Sequence, residues 1–168
     1  MFILFLALGL IQGGQPSPAS PVAARGDRFQ LVVPQGWKLL NEGASVLLEH
    51  SSGASLLVQR AARTTNLAEY ARRQAERIIL PLGFASLGEP QSSKDVGPSE
   101  WIQYEIIGNR ITERHRILYR VMKRDANLFE TIYEAKEDRF EVLLTEAQGI
   151  ASSIQATIEA PPVRRVRR

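Results

Sequence analysis

The chain has 168 residues, 44% of them hydrophobic and 23% charged, an ordinary globular composition that excludes a disordered polymer or a bundle of membrane helices. It has no cysteine, which excludes disulfide frameworks, thiol nucleophiles, iron–sulfur clusters and zinc knuckles, and with them a cysteine-linked lipid anchor. The formal charge of +3 is concentrated in Arg164, Arg165, Arg167 and Arg168; without these four, 17 basic residues face 18 acidic ones, a net of −1.

Phe2 to Ile11 is an unbroken run of ten apolar or small residues. As a helix it would span about 15 Å, roughly half the hydrocarbon core, so it is too short to cross a membrane. It suits the apolar region of a secretory signal peptide, although no Lys or Arg precedes it. Small residues follow, with cleavage positions after Gly14, Ala19 or Ala24. Residues 1–24 therefore read as signal peptide and Pro/Ser linker, and Gln12 to Gly26, rich in Gly, Pro, Ser and Ala, as a flexible spacer. The globular body is expected over 28–158, enough chain to bury a substantial core.

Phe29 to Val33 reads as a strand that ends in the turn Pro34-Gln35-Gly36-Trp37. Ser45–His50 and Ser55–Arg60 read as a hairpin around Ser51-Ser52-Gly53. A helix follows with Asn66 as N-cap; Leu67, Tyr70, Ala71, Gln74, Ala75 and Ile78 share one face, and Pro81 and Gly83 stop it. A weaker strand runs near Phe84–Glu89, then a polar loop from Gln91 to Pro98.

Trp101–Ile107, Gly108-Asn109 and Arg110–Arg124 read as a hairpin with a two-residue turn. That register pairs Tyr104 with Glu113 and Ile102 with His115, and on the other face Trp101 with Arg116. Asp125-Ala126-Asn127 reads as a second turn, with Asn127 in its left-handed position. Matching Arg124 to Leu128 sets Phe129, Thr131, Tyr133 and Ala135 opposite Lys123, Val121, Tyr119 and Ile117. A last helix starts at Asp138 with Glu141 as capping-box partner, and Phe140, Leu143, Leu144, Ala147, Ala151 and Ile154 form its apolar stripe. Pro161-Pro162 and a basic tail over 159–168 follow.

The order of strand, Pro-x-Gly-Trp, hairpin, helix, three-strand meander and C-terminal helix resembles the PsbP-like family. Phe29 through Trp37 is its most specific element, and the resemblance extends from Phe29 to Gln155. It implies an α+β fold, an antiparallel sheet of about six strands sandwiched by helices. It also implies a largely non-catalytic, exported protein that acts by docking on partners.

Three constellations stand out. Arg110, Arg114, Arg116 and Arg120 form an outward row with Trp101 beside Arg116, the arginine–aromatic pairing enriched at interfaces. Opposed to that surface is a sheet face covered by a helix, with the arginines reaching its edge. Glu113, His115 and Tyr104 could form an acid/base or metal half-site, or a hydrogen-bonded polar patch. The tail Arg164, Arg165, Arg167 and Arg168 would contact an anionic surface at about 1 kcal/mol per arginine, weakly and with salt sensitivity.

No nucleophile elbow, phosphate loop or zinc-protease motif is present in the sequence, and no cofactor is implied. The near-neutral body argues against nucleic acid as a partner. The reading is an exported, non-catalytic binding or assembly module for a protein or envelope component. Its alternatives are an enzyme or metal site at Glu113, His115 and Tyr104, or a cytosolic chaperone-like factor that retains the N-terminal run.

Overall fold

In the computed structural model, which describes residues 22–93, 100–124 and 126–157, the apolar alternation resolves into two antiparallel sheets and two helices. The first half runs β1 (Val22–Gly26), β2 (Phe29–Val33), β3 (Trp37–Asn41), β4 (Ser45–His50), β5 (Ser55–Arg60) and α1 (Leu67–Ile79). The second runs β6 (Gly83–Leu87), β7 (Gln91–Ser92), β8 (Trp101–Arg110), β9 (Glu113–Arg124), β10 (Asn127–Lys136), α2 (Phe140–Ser152) and β11 (Gln155–Ala156).

The main sheet has the order β3-β4-β5-β10-β9-β8-β6, with β7 also paired to β8; the small sheet is β1-β2-β11. The α+β class holds, with more strands than the expected six. Period-two alternation gives the main sheet two apolar faces. One packs Ile106, Ile117, Tyr119 and Val121 under Ala71 and Ala75 of α1. The other packs Val46, Leu56, Val58, Phe129 and Tyr133 against α2 and the small sheet. Trp37 anchors this second layer: 7% exposed, it donates from Nε1 to Glu146 Oε2 of α2 at 3.0 Å. Gly36, at φ +93°, makes the turn that delivers it.

Four local expectations are corrected. The body already includes Val22, six residues before Arg28, because β1 pairs along the whole of β2 and Ala24 is fully buried. Gly26 is not spacer either: a Cβ there would lie 2.0 Å from the Phe29 ring. Cleavage after Ala24 would remove three of the five residues of β1.

The first meander turn is Ile111-Thr112, with Arg110 opposite Glu113, not Gly108-Asn109. Gly108 is a packing glycine inside β8, where a Cβ would stand 3.0 Å from Leu82 Cβ and 3.1 Å from Ala85 Cβ. Partners on β9 therefore shift by six residues, and Tyr104 faces Tyr119. The second turn is one residue tighter than expected, with Asn127 opposite Arg124 as the first residue of β10. That odd slip moves Phe129, Thr131, Tyr133 and Ala135 to the face of Met122, Arg120, Leu118 and Arg116.

Asp138 does not cap α2. The N-cap is Arg139, without a side-chain cap bond, because the chain turns through Arg139 N–H to Lys136 O at 2.9 Å. Tyr133 instead donates its hydroxyl to Phe140 O at 2.8 Å, and Arg124 donates to Ser152 O and Ile154 O at the far end, both at 2.7 Å. A cation on the last carbonyls suits the helix dipole. Asn66, by contrast, caps α1 as expected, accepting from Glu69 N–H at 3.1 Å.

The stripe of α2 is centred on Phe140, Leu143, Ala147, Ile150 and Ala151, with Leu144 only partly buried at its rim. Ile150→Ala is expected to cost about 2–5 kcal/mol and Leu144→Ala clearly less. Urea unfolding of the two variants checks the order; a larger loss at Leu144 would place the helix face wrongly.

Candidate functional site

The arginine row does not survive as one surface. Moving the turn to Ile111-Thr112 transfers Arg110 to β8 and so to the α1 face, where it pairs with Glu134, its second contact at 2.7 Å. Arg114 pairs with Glu137 at 3.1 Å. Arg116 contacts Glu105 at 2.8 Å and Glu141 at 2.9 Å, and its guanidinium lies 4.2 Å from the centre of the Phe140 ring. Arg120, not Arg116, stacks on Trp101, at 4.9 Å, while donating to Gln103 Oε1 at 2.8 Å. Burial pushes the Arg120 guanidinium below its ordinary value. All four cations are engaged within the chain: Arg116 ties the sheet to α2, Arg120 is half-buried on Trp101, and Arg110 and Arg114 form surface pairs.

The Glu113, His115 and Tyr104 cluster is not assembled. Gly108, not Ile102, sits opposite His115, and Tyr104 lies six residues along β9 from the expected Glu113 pairing. His115 keeps its carboxylates: Nδ1 is 3.0 Å from Glu134 Oε1, off the direction a hydrogen bond needs, and Nε2 is 3.9 Å from Glu113. Lys136 takes Glu113 at 2.6 Å, and this bond holds the Glu113 carboxyl below its ordinary range. Among the described residues, no three His, Asp or Glu side chains converge as a metal donor set.

A polar centre that sequence reasoning missed lies deeper on the same face. Glu130, 4% exposed, accepts from Tyr70 at 2.7 Å and Tyr119 at 3.0 Å on one oxygen, and from Gln59 Nε2 at 2.7 Å on the other. The four residues come from α1, β9, β10 and β5. Burial, reinforced by Glu130, raises the Tyr70 phenol to about 12 and pushes Tyr119 strongly upward. Sealed beneath α1, this cluster joins helix to sheet. Its signals in sequence were a Glu between the apolar residues of a strand and a Tyr on the apolar stripe of the helix.

An open cleft of about 850 Å³ lies where the chain enters α1, lined by Arg63, Thr64, Thr65 and Leu67 together with Glu100, Lys123, Ala126 and Leu128. Arg63 and Lys123 are exposed and make no side-chain pair among the described residues. Arg164, Arg165, Arg167 and Arg168 and the N-terminal run lie outside the described residues.

No protein-family model matches the chain, and no curated protein does. Solved structures do. Cyanobacterial PsbP from Synechocystis sp. PCC 6803 superposes with a TM-score of 0.56 at 16% identity, over 89% of this chain and 98% of that one. LpqN of Mycobacterium tuberculosis, described as involved in cell envelope biogenesis, gives 0.53 at 15% identity, over 82% and 91%. A Pseudomonas aeruginosa protein described as a putative regulator gives 0.50 at 14%, over 84% and 98%. The chain has the PsbP-like fold; at these identities the likeness speaks to fold.

The tyrosine shifts carry a pH consequence. Tyr70, like Tyr133, has a folded value near 12 against an ordinary 10.0. A value raised on folding favours the fold fully below about pH 10, and that contribution is lost as pH rises towards 12. The melting temperature should hold to about pH 9.5 and then fall, with less of a fall in Tyr70→Phe. Thermal melts across this range, with phenolate absorbance, check it; a flat profile to pH 12 would refute the burial argument.

Proposed function

We propose that this protein is an exported, non-catalytic binding module that docks on a protein partner of the cell envelope. One contrast supports the reading. Arg110, Arg114, Arg116 and Arg120 are engaged within the fold, whereas Arg63 and Lys123 face an open cleft without side-chain partners among the described residues. Two cations beside threonine hydroxyls suit an acidic segment of a partner, with Leu67 and Leu128 giving its apolar side chains a place. The fold shared with PsbP and with LpqN, the latter an envelope-biogenesis protein by description, agrees with docking outside the cytoplasm. The arginine tail would add a salt-sensitive contact to an anionic surface.

Two measurements test this. N-terminal sequencing of natively expressed protein should find a start between Gln15 and Val22, which leaves β1 whole; an intact Met1 in the cytosol would remove the export reading. A photo-crosslinking residue at Thr65, in cells, should trap a discrete envelope protein, and one at Ser51 should not. Arg63→Glu with Lys123→Glu should abolish the Thr65 adduct without altering the melting temperature. An adduct that survives both charge reversals would rule out the cleft as the docking surface.

A further inference from the structure

Three large apolar side chains stand almost wholly in solvent at one end of the main sheet: Leu80 at 81%, Phe84 at 96% and Ile111 at 100% exposure. Strand pairing brings them together. Leu80 directly follows α1, and Phe84 adjoins Gly83, which pairs with Asn109, two residues before Ile111. The site lies at the opposite end of β9 from Lys123 and the docking cleft.

The backbone aims two of these side chains outward at a cost. Phe84 sits at φ +47° and Ile111 at φ +58°, the left-handed region, where an aromatic or β-branched residue is a steric outlier. Asn or Gly would occupy either position with less strain. Strain carried by exposed apolar residues, which bury nothing within the fold, points to use outside it.

The size and surroundings of the patch select the occupant. Its apolar area is on the order of 500 Å², short of the roughly 800 Å² per partner of a stable protein interface. Leu80 stands at the C-cap of α1, Phe84 near the start of β6 and Ile111 in the β8–β9 turn, three separate points on the surface. Beside Ile111 the charges are matched, Arg110 with Glu134, Arg114 with Glu137, and Lys136 with Glu113, while Arg77, three residues before Leu80, bonds Gln74 and adds one cation. A small protruding apolar tip over a polar base of paired charges and one cation fits the interfacial layer of a bilayer, where side chains enter the acyl boundary and charges stay among headgroups.

We propose that Leu80, Phe84 and Ile111 form an insertion tip that seats this protein on a lipid bilayer. Binding by the tip is apolar, so it persists in salt, unlike binding by the arginine tail. It is independent of the docking cleft, which the tip would leave facing away from the membrane.

Vesicle co-sedimentation of the exported protein, started at Gln15 so that the apolar run Phe2–Ile11 is absent and β1 is whole, tests this, with pure phosphatidylcholine and with phosphatidylcholine–phosphatidylglycerol, in about 0.5 M salt, which screens the tail. The parent should bind both. Phe84→Asn with Ile111→Asn should weaken binding at least tenfold and leave the melting temperature unchanged or higher, since Asn accepts positive φ. Phe84→Leu with Ile111→Leu should keep binding whatever it does to stability. The proposal fails if the parent binds neither vesicle or only the anionic one. It fails equally if the Asn variant binds like the parent or the Leu variant does not bind. A parent that is dimeric in sedimentation, with an Asn variant that is monomeric, would assign the tip to a second copy and overturn the bilayer.

Discussion

The register of the β8–β9–β10 meander decides which side chains can meet, because each face of the sheet is read two residues at a time. With Arg110 opposite Glu113 and Arg124 opposite Asn127, Ile117, Tyr119 and Val121 fall beneath α1, and Arg116, Leu118, Arg120 and Met122 fall towards α2. A slip of one residue in either hairpin would put arginines under α1 and the tyrosine against α2. The packing of Leu82 and Ala85 over Gly108 supports the first register, since a side chain there would press on both of them.

That register also creates the costliest element of the interior. Glu130 is buried with three neutral donors and no cation among them, and leaving any one of its bonds unmade would cost about 1–3 kcal/mol. Tyr70 reaches it only if α1 lies across β9 and β10 at the right depth, so the cluster fixes the position of the helix as well as covering the sheet. Arg124 does the corresponding work for α2 from the other face, holding the carbonyls at its C-terminal end. Each helix is thus positioned by directional polar contacts laid over nondirectional apolar packing, Tyr70 with Glu130 for α1, and Trp37, Arg116, Tyr133 and Arg124 for α2.

The same economy divides the surface. Cations inside the fold, such as Arg116 between Glu105, Glu141 and the Phe140 ring, fasten layers together and are shielded from partners. Cations at the α1 entrance are left facing solvent, and the three most exposed large apolar side chains, Leu80, Phe84 and Ile111, lie at the other end. An elongated sheet with a polar cleft at one end and an apolar tip at the other would hold a partner while resting on a surface.

Much of the architecture was legible in the residues themselves. The strand into Pro34-Gln35-Gly36-Trp37, the Asn66 cap, the α1 stripe and the three-strand meander follow from local propensity and period, which act within a few residues of chain. Turn positions were less legible, because Gly108-Asn109 carries a strong local hairpin signal that contacts from Leu82 and Ala85 override. β1 was hidden because its Ala- and Gly-rich sequence has no alternation; it is a strand only because β2 offers it an edge. The Glu130 cluster, the cleft and the tip could not be assembled from the sequence, since residues 59, 70, 119 and 130, or 80, 84 and 111, are neighbours only after the sheet has formed. By itself the sequence determined the elements and their order, through short-range sterics and apolar periodicity. The tertiary structure decided register, and with it which charges are paired and which face solvent, because one residue of slip turns every side chain of a strand to the opposite face.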